Sequence, residues 1–197
     1  MTRELLRLGP DDWAAQRDLR LAALLNAPEA FGTTHADMSS HTEDDWREDL
    51  GRIAAWQVRD DGMPVGMVRM VVEDHDGEVV PYGQLPERPA EAGSALTAYL
   101  ISMFVSPQAR GSGVGELLVG AVLSEAKSFG LQRVWLDVAE NNAYAVRLYE
   151  RCGFVLTGES RPHPRTDCLC ELQMVHDLES RVPSDPRVGS DLPDMIG

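Results

Sequence analysis

The chain is poor in the residues that build covalent or metallic scaffolds. It has three cysteines in 197 residues, Cys152, Cys168 and Cys170. An odd count with no export signal argues against a disulfide framework. No second Cys or His pair completes a zinc spacing, and the five histidines (His35, His41, His75, His163, His176) are scattered, so no metal is expected. Cys168 and Cys170 alternate within an apolar run, which predicts buried thiols on one face of a strand. Positive charge is also scarce: 18 Lys and Arg stand against 32 Asp and Glu, for a net charge of −14. That balance argues against nucleic acid and against an anionic membrane surface. No apolar run approaches transmembrane length, and Met1-Thr2-Arg3-Glu4-Leu5-Leu6-Arg7 is too broken by charge for a signal peptide. These absences predict a soluble cytoplasmic protein.

What remains is an ordinary globular composition, 43% hydrophobic and long enough for one sizeable core. Residues 1–178 read as one domain. Residues 179–197, rich in Pro, Asp, Ser and Gly without periodicity, read as a disordered tail. Leu5–Leu8 suits a short strand, and Gly9-Pro10-Asp11-Asp12 a turn with an Asp cap. Trp13–Leu25 suits a helix with Ala15, Leu19 and Ala22 on one face. Thr42 caps a second helix carrying Trp46 and Leu50, with Asp45 closing an imperfect capping box. Ile53–Val58 and Val65–Val72 read as strands around a hairpin at Asp60-Asp61-Gly62. Residues 73–93 read as an acidic loop or surface excursion. A strand over Ala95–Val105 feeds a helix with Val114, Leu117, Leu118, Ala121, Val122 and Ala126 on one face, ended by Gly130. A strand follows at Val134–Val138. A short helix runs from Asn142 to Arg151, and two last strands cover Phe154–Thr157 and Leu169–Val175. The order predicts a mixed α/β sheet.

The richest stretch is Ser106-Pro107-Gln108-Ala109-Arg110-Gly111-Ser112-Gly113-Val114-Gly115. A strand feeding a glycine-rich turn at a helix start suits a phosphate. Glycines let backbone N–H groups approach, and the helix N-terminus adds unpaired donors. The dinucleotide fingerprint fails because Glu116 stands where its third Gly belongs. The P-loop pattern fails because Ala121 and Val122 follow Gly120 in place of Lys and Ser/Thr.

A second constellation is Asn142-Ala143-Tyr144-Ala145-Val146-Arg147-Leu148-Tyr149-Glu150-Arg151-Cys152-Gly153-Phe154. N-x-x-A-x-x-L-Y-E-R-x-G-F, some thirty residues after Q-x-x-G-x-G, resembles the GCN5-related N-acetyltransferase (GNAT) superfamily. The likeness covers roughly residues 97–157, and a weaker one reaches Met1 through Ala30-Phe31-Gly32. It implies a single mixed, mostly antiparallel twisted sheet with helices on both faces (α+β within α/β). It also implies acetyl transfer from acetyl-CoA to a primary amine by direct attack in a ternary complex, and a possible homodimer. Met103, Phe104 and Val105 would pair with the pantetheine arm, a bulge there turning an N–H toward the thioester carbonyl. Arg110, Gly111, Ser112, Gly113, Val114 and Gly115 would hold the pyrophosphate. Asn142 would bond the pantetheine arm, and Tyr149 would protonate the departing thiolate directly or through water. A phenol suits that task because a thiolate is only moderately basic.

The acceptor half stays open. Leu96–Ser106 holds no Asp, Glu or His, so the strand that often carries a carboxylate lacks one. Asp137 and Glu140 are the nearest candidates for the base in sequence, but Asp137 alternates with Leu136 and Val138, and a solvated face is the better reading for both. Tyr99 and Ser102 are in place to orient a water, and Glu29 and Asp45 lie in the region that usually lines the acceptor side. The acidic loop weakly favours a cationic amine. Arg147 and Arg151 suit a solvated face better than a 3′-phosphate. A non-catalytic acyl-CoA sensor on the same fold is the alternative.

Overall fold

The computed structural model describes residues 2–85, 96–166 and 168–178. The tail read at 179–197 and part of the acidic excursion, 86–93, lie outside them, as does Ala95. Seven strands form one sheet: β1 (Arg3–Leu8), β2 (Ala54–Asp60), β3 (Met63–Glu73), β4 (Thr97–Val105), β5 (Arg133–Ala139), β6 (Val155–Pro162) and β7 (Cys170–Asp177). Their order is β1-β2-β3-β4-β5-β7-β6. Every neighbouring pair is antiparallel except β4–β5. The helices are α1 (Trp13–Asn26), α2 (His35–Ser39), α3 (Glu43–Arg52), α4 (Val114–Ser128) and α5 (Ala143–Arg151).

Alternation along the strands divides the core in two. Ala54, Trp56, Val58, Val68, Met70, Ala98, Leu100, Leu136 and Val138 face α4 and α5, packing on Leu118, Val119, Val122 and Tyr149. Met67 and Phe104 face the other way, toward Leu19, Ala23 and Leu24 of α1, Met38 of α2 and Trp46 of α3. Leu8 and Ala55 meet Leu50 of α3 on that same side. Helices cover both faces, as the resemblance implies.

Local chemistry explains most element boundaries. Asp61 and Gly62 both take positive φ, 48° and 80°, the paired conformation that a two-residue hairpin needs. The Thr42 box is complete: the Thr42 hydroxyl accepts from Asp45 N–H, and the Asp45 carboxylate accepts from Thr42 N–H at 2.7 Å. Gly130 (φ 72°) and Gly153 (φ 88°) follow α4 and α5 in the left-handed region.

Several expectations shift. Asp12 stands before α1, but its carboxylate turns back to Gly9 N–H and does not cap the helix. The buried face of α1 is Gln16, Leu19, Arg20, Ala23 and Leu24, with Ala22 exposed. On α4, Val119 is buried and Leu117 exposed. In both helices the apolar positions fit two neighbouring faces, and sheet packing selects one. Cys168 is exposed in a turn before β7, and Cys152 and Cys170 are half-buried, so the thiols are not core residues. The excursion after β3 is not all surface: Leu85 is buried in the core, and Tyr82 donates its hydroxyl to Glu125 of α4.

Candidate functional site

The sheet opens at its centre. β4 and β5 pair only at Ala98–Val134 and Tyr99–Trp135. Both run on, β4 to Val105 and β5 to Ala139. β5 stays paired with β7 as far as Ala139–Glu171, so it leaves β4 while keeping its outer neighbour. The edge of β4 that faces β5 therefore has no strand ladder beyond Tyr99, which leaves a slot with exposed backbone groups.

A bulge lies in that slot. Arg69 pairs with Ile101 and Met67 with Phe104, so Val68 is opposed by both Ser102 and Met103. Ser102 takes φ 55°, rare for a residue with a side chain. The extra residue reverses the alternation. Ala98 and Leu100 face α4, and so do Met103 and Val105, while Phe104 turns into the α1 core. A left-handed serine costs about 1–2 kcal/mol. Burying Phe104 among Leu19, Leu24 and Trp46 returns roughly 2–3 kcal/mol, enough to hold the bulge.

Past Val105 the chain makes the glycine turn. Gly111 (φ 73°) and Gly113 (φ 86°) are both left-handed, and Gly113 directly precedes α4. The first N–H groups of a fifteen-residue helix thus point into the open end of the slot. Arg110 folds back, its Nε donating to the Val105 carbonyl at 3.2 Å. Arg3, from the far edge of the sheet, braces the turn. It grips Asp60 through Nε and Nη2 at 2.7 Å each and donates to the Ser112 carbonyl at 2.5 Å and the Ser112 hydroxyl at 3.1 Å. Gly66 of β3 supports it from below: a Cβ there would lie 2.7 Å from Val114 and 3.0 Å from Leu118.

α5 closes the slot on the β5 side. Asn142 caps it, its Oδ1 accepting from Ala145 N–H at 3.1 Å. Tyr149 is buried, its ring tilted against Phe154 at 5.8 Å. Its hydroxyl makes no hydrogen bond among the described residues. Burial pushes the phenol well above its ordinary value, with Cys152 adding to the shift. Tyr149 therefore stays protonated at every pH of interest. Gly115 lets α4 approach this helix, since a Cβ there would meet Leu148 at 2.8 Å. Arg151 bridges to Glu116 at 2.7 Å, and Arg147 lies over the Tyr144 ring at 4.9 Å.

The opposite face of the slot, under α1–α3, is polar. Register places Arg69 and Val71 of β3, Tyr99 and Ile101 of β4, Asp137 of β5 and Glu171 of β7 on one side. A cavity of about 380 Å³ opens there, lined by His41, Asp45, Glu48, Asp49, Arg52, Arg69 and neighbouring apolar groups. Arg69 holds both oxygens of Asp49 through Nη2, at 2.6 and 2.7 Å. Arg20 lies buried nearby over the Phe31 ring, and desolvation together with the like charge of Arg69 lowers it to about 10. At the rim, Arg165 donates to the carbonyls of Pro28, Phe31 and Thr33, tying the β6–β7 turn to the chain after α1.

Asp137 contradicts its expected solvation. Its side chain is 13% exposed, Arg161 donates to Oδ2, and Oδ1 is buried without a hydrogen-bond partner among the described residues. Period-two alternation turned it away from one core and onto the polar face, a distinction a single strand cannot reveal. Glu140 is exposed and accepts from Cys170 N–H. Glu29 sits exposed in the turn after α1, and Asp45 lines the cavity. Among the expected residues, Met103 to Val105 and the turn through Gly115 stand in sequence along one edge of the slot, with Asn142 and Tyr149 on the helix beyond its other strand. Arg3 and Gly66 escaped the sequence reading, and the bulge, expected from the resemblance alone, falls at Ser102. Only strand pairing brings the first two to the turn, and a bulge leaves no mark in an apolar run.

A mixed sheet parted between two parallel central strands, with a glycine turn at a helix start, is the architecture of acyl-CoA N-acyltransferases. The model of the Acetyltransferase (GNAT) family matches residues 18–154, and the chain belongs to that family. A mycothiol acetyltransferase from Salinispora arenicola is 32% identical over 157 residues, covering 78% of this chain and 44% of that protein. The chain thus spans less than half the length of that relative. The spermine/spermidine N(1)-acetyltransferase of Bacillus subtilis is 30% identical over 100 residues, 49% of this chain and 61% of that one. Among solved structures, yncA from Salmonella typhimurium, determined with its cofactor acetyl-CoA, matches the fold with a TM-score of 0.63 at 19% identity, covering 94% of this chain and 99% of that one.

Proposed function

We propose that the chain transfers an acetyl group from acetyl-CoA to a primary amine by direct attack in a ternary complex. The observation that carries this is the parting of β4 from β5 after two residue pairs, beside a glycine turn at the start of α4. The free edge of Met103, Phe104 and Val105 suits an amide-bearing pantetheine arm, which would add to the sheet like a short strand. The turn from Arg110 to Gly115 suits a pyrophosphate. Asn142 keeps its Nδ2 for the arm while Oδ1 caps α5. The bulge at Ser102 is the place for an N–H aimed at the thioester carbonyl. Tyr149, protonated and without a hydrogen-bond partner among the described residues, supplies a proton or hydrogen bond to the leaving sulfur.

The acceptor in this reading is a cationic amine, small or at a peptide terminus. Support comes from the polar face, where Asp45, Glu48, Asp49, Glu73, Asp137 and Glu171 outnumber Arg20, Arg52, Arg69 and Arg161. The relatives named for mycothiol and for spermine and spermidine keep small acceptors in view. A cytoplasmic setting and a homodimer belong to the same reading. Among the described residues, no helix is long and apolar enough to cross a membrane.

Titration calorimetry with acetyl-CoA, followed by thiol release across a panel of amines, tests it. Binding in the micromolar range and release with a diamine or an N-terminal peptide is expected. Absence of binding at millimolar ligand sinks the proposal. Tight binding with no release for any amine favours the sensor.

A further inference from the structure

We infer that Arg20 and Arg69 form a carboxylate-binding subsite, so that the acceptor is an amine that also bears a carboxylate, as an amino acid does; this rests on the acetyltransferase reading above. Three observations converge. The first is unmatched hydrogen bonding. Arg20 and Arg69 are 4% and 8% exposed. Arg20 donates through Nη2 to the Thr33 hydroxyl at 2.9 Å, while its Nε and Nη1 are buried without a partner among the described residues. Arg69 uses Nη2 on Asp49, and its Nε is buried and unmatched in the same way. Arg69 also lines the cavity under α3. Gln16, one turn before Arg20 on the same face of α1, leaves Nε2 and Oε1 unmatched, and Trp46 of α3 leaves Nε1. Native structures leave few buried polar groups unmatched, and those that remain point to ligands. Five donors against one acceptor call for a ligand that accepts.

The second is charge. Two guanidinium groups share one carboxylate, Asp49. The other charged groups lining the cavity are matched: Asp45 accepts from Thr42 N–H, and Glu48 lies 3.9 Å from Arg52. His41 leans on the Trp46 ring. One positive charge is left over. Desolvation and the like charge of Arg69 lower Arg20 to about 10, so it is still a cation at neutral pH. A buried cation in that position needs a counter-ion. A carboxylate brings one negative charge and two coplanar oxygens, which fit the edge of a guanidinium. A bare ammonium would meet two like charges, and a phosphate monoester would bring more negative charge than is left over.

The third is position. Arg69 pairs with Ile101 of β4, the residue before the Ser102 bulge. Arg20 lies over the Phe31 ring and holds Thr33, in the segment that Arg165 ties to the β6–β7 turn. The two cations thus lie between that rim and the strand position next to the bulge, where the thioester carbonyl is assigned. A carboxylate held by them leaves the amine of the same molecule a few bonds from the carbon under attack. The acids of the same face remain for the ammonium end. The acceptor keeps the cationic amine proposed above and gains an anionic anchor.

The test uses the full chain, acetyl-CoA and matched acceptors: glycine, 4-aminobutanoate and 6-aminohexanoate, each beside its carboxamide, with rates referred to the free amine. The parent should prefer at least one acid over its amide by roughly 10–100-fold in kcat/KM, the worth of charged hydrogen bonds. The chain length that shows the preference measures the span from the subsite to the thioester. Arg20→Met removes a buried like charge beside Arg69, so the fold should tolerate it. In R20M the acid-over-amide ratio should fall to within threefold of one. A purely structural role for Arg20 would scale acid and amide together and leave the ratio in place. A parent that treats every acid and amide alike overturns the subsite, as does a ratio unmoved in R20M. Thiol release with 1,4-diaminobutane and with none of the acids also overturns it and leaves acetyl transfer intact. No release by the parent with any of these amines overturns both.

Discussion

Arg3 and Ser112 lie 109 positions apart in the chain, yet the Arg3 guanidinium donates to the Ser112 carbonyl at 2.5 Å and to its hydroxyl at 3.1 Å. The first strand thereby fixes the turn assigned to the pyrophosphate. Asp60 orients the guanidinium through two bonds, and its carboxyl is held below the usual range by that contact. Replacing Arg3 with Met removes two bonds to the turn. Both are solvent-exposed, so roughly three- to tenfold weaker acetyl-CoA binding is expected. The turnover number should hold, because Arg3 touches no reacting atom. Calorimetry and the KM for acetyl-CoA check it. An unchanged affinity would show that the turn keeps its shape unaided.

Tyr149→Phe separates packing from chemistry. The hydroxyl has no hydrogen-bond partner among the described residues, so its removal should leave thermal stability unchanged or slightly raised. Activity should fall by about 10²–10⁴-fold if the phenol serves the leaving sulfur. Because burial raises the phenol, the parent should show no basic limb from its ionisation below its ordinary value near ~10. Full turnover in the Phe variant would move the proton to water alone.

The donor half proposed for this site was legible because its determinants are local. Gly111 and Gly113 mark left-handed positions, Asn142 marks a cap and Gly153 marks the end of α5, and each signal lies within a few residues of its effect. The acceptor half is assembled from α3, β3, β5 and β7, so its members have no shared spacing. Asp137 shows the difficulty: alternation gave its face correctly, but which face is solvent depends on strands not yet paired. The Ser102 bulge was foreseen only as a feature of the family. Phe104 looked like one more apolar residue, although its place under α1 is what the inserted residue serves.

Gly66→Ala should disturb the turn from beneath. The new methyl would meet Val114 at 2.7 Å and Leu118 at 3.0 Å, both fully buried, and the Phe104 carbonyl at 3.2 Å. Overpacking of this kind costs about 1–3 kcal/mol. Since Val114 begins α4, the strain should also weaken acetyl-CoA binding. Urea unfolding and calorimetry report the two effects. A stable variant with lost affinity would mean the helix start shifts to relieve the clash.

Asp137→Asn should gain stability relative to the parent as the pH rises. The native environment holds this carboxyl above its ordinary value, chiefly through burial, so the folded state binds its proton more tightly than the unfolded chain does. The stability from that preference is fully present below the unfolded value. It drains away as pH rises through the folded value, beyond which folding must bury a charge. An asparagine carries no such dependence. Measured by urea unfolding from pH 4 to 8, the stability of the parent relative to D137N should fall with rising pH and level off once Asp137 is ionised. The opposite slope would mean that Arg161 stabilises the carboxylate more than burial destabilises it. A flat difference would mean the folded and unfolded values coincide. The predicted slope instead identifies a carboxylate kept at a cost in folding free energy.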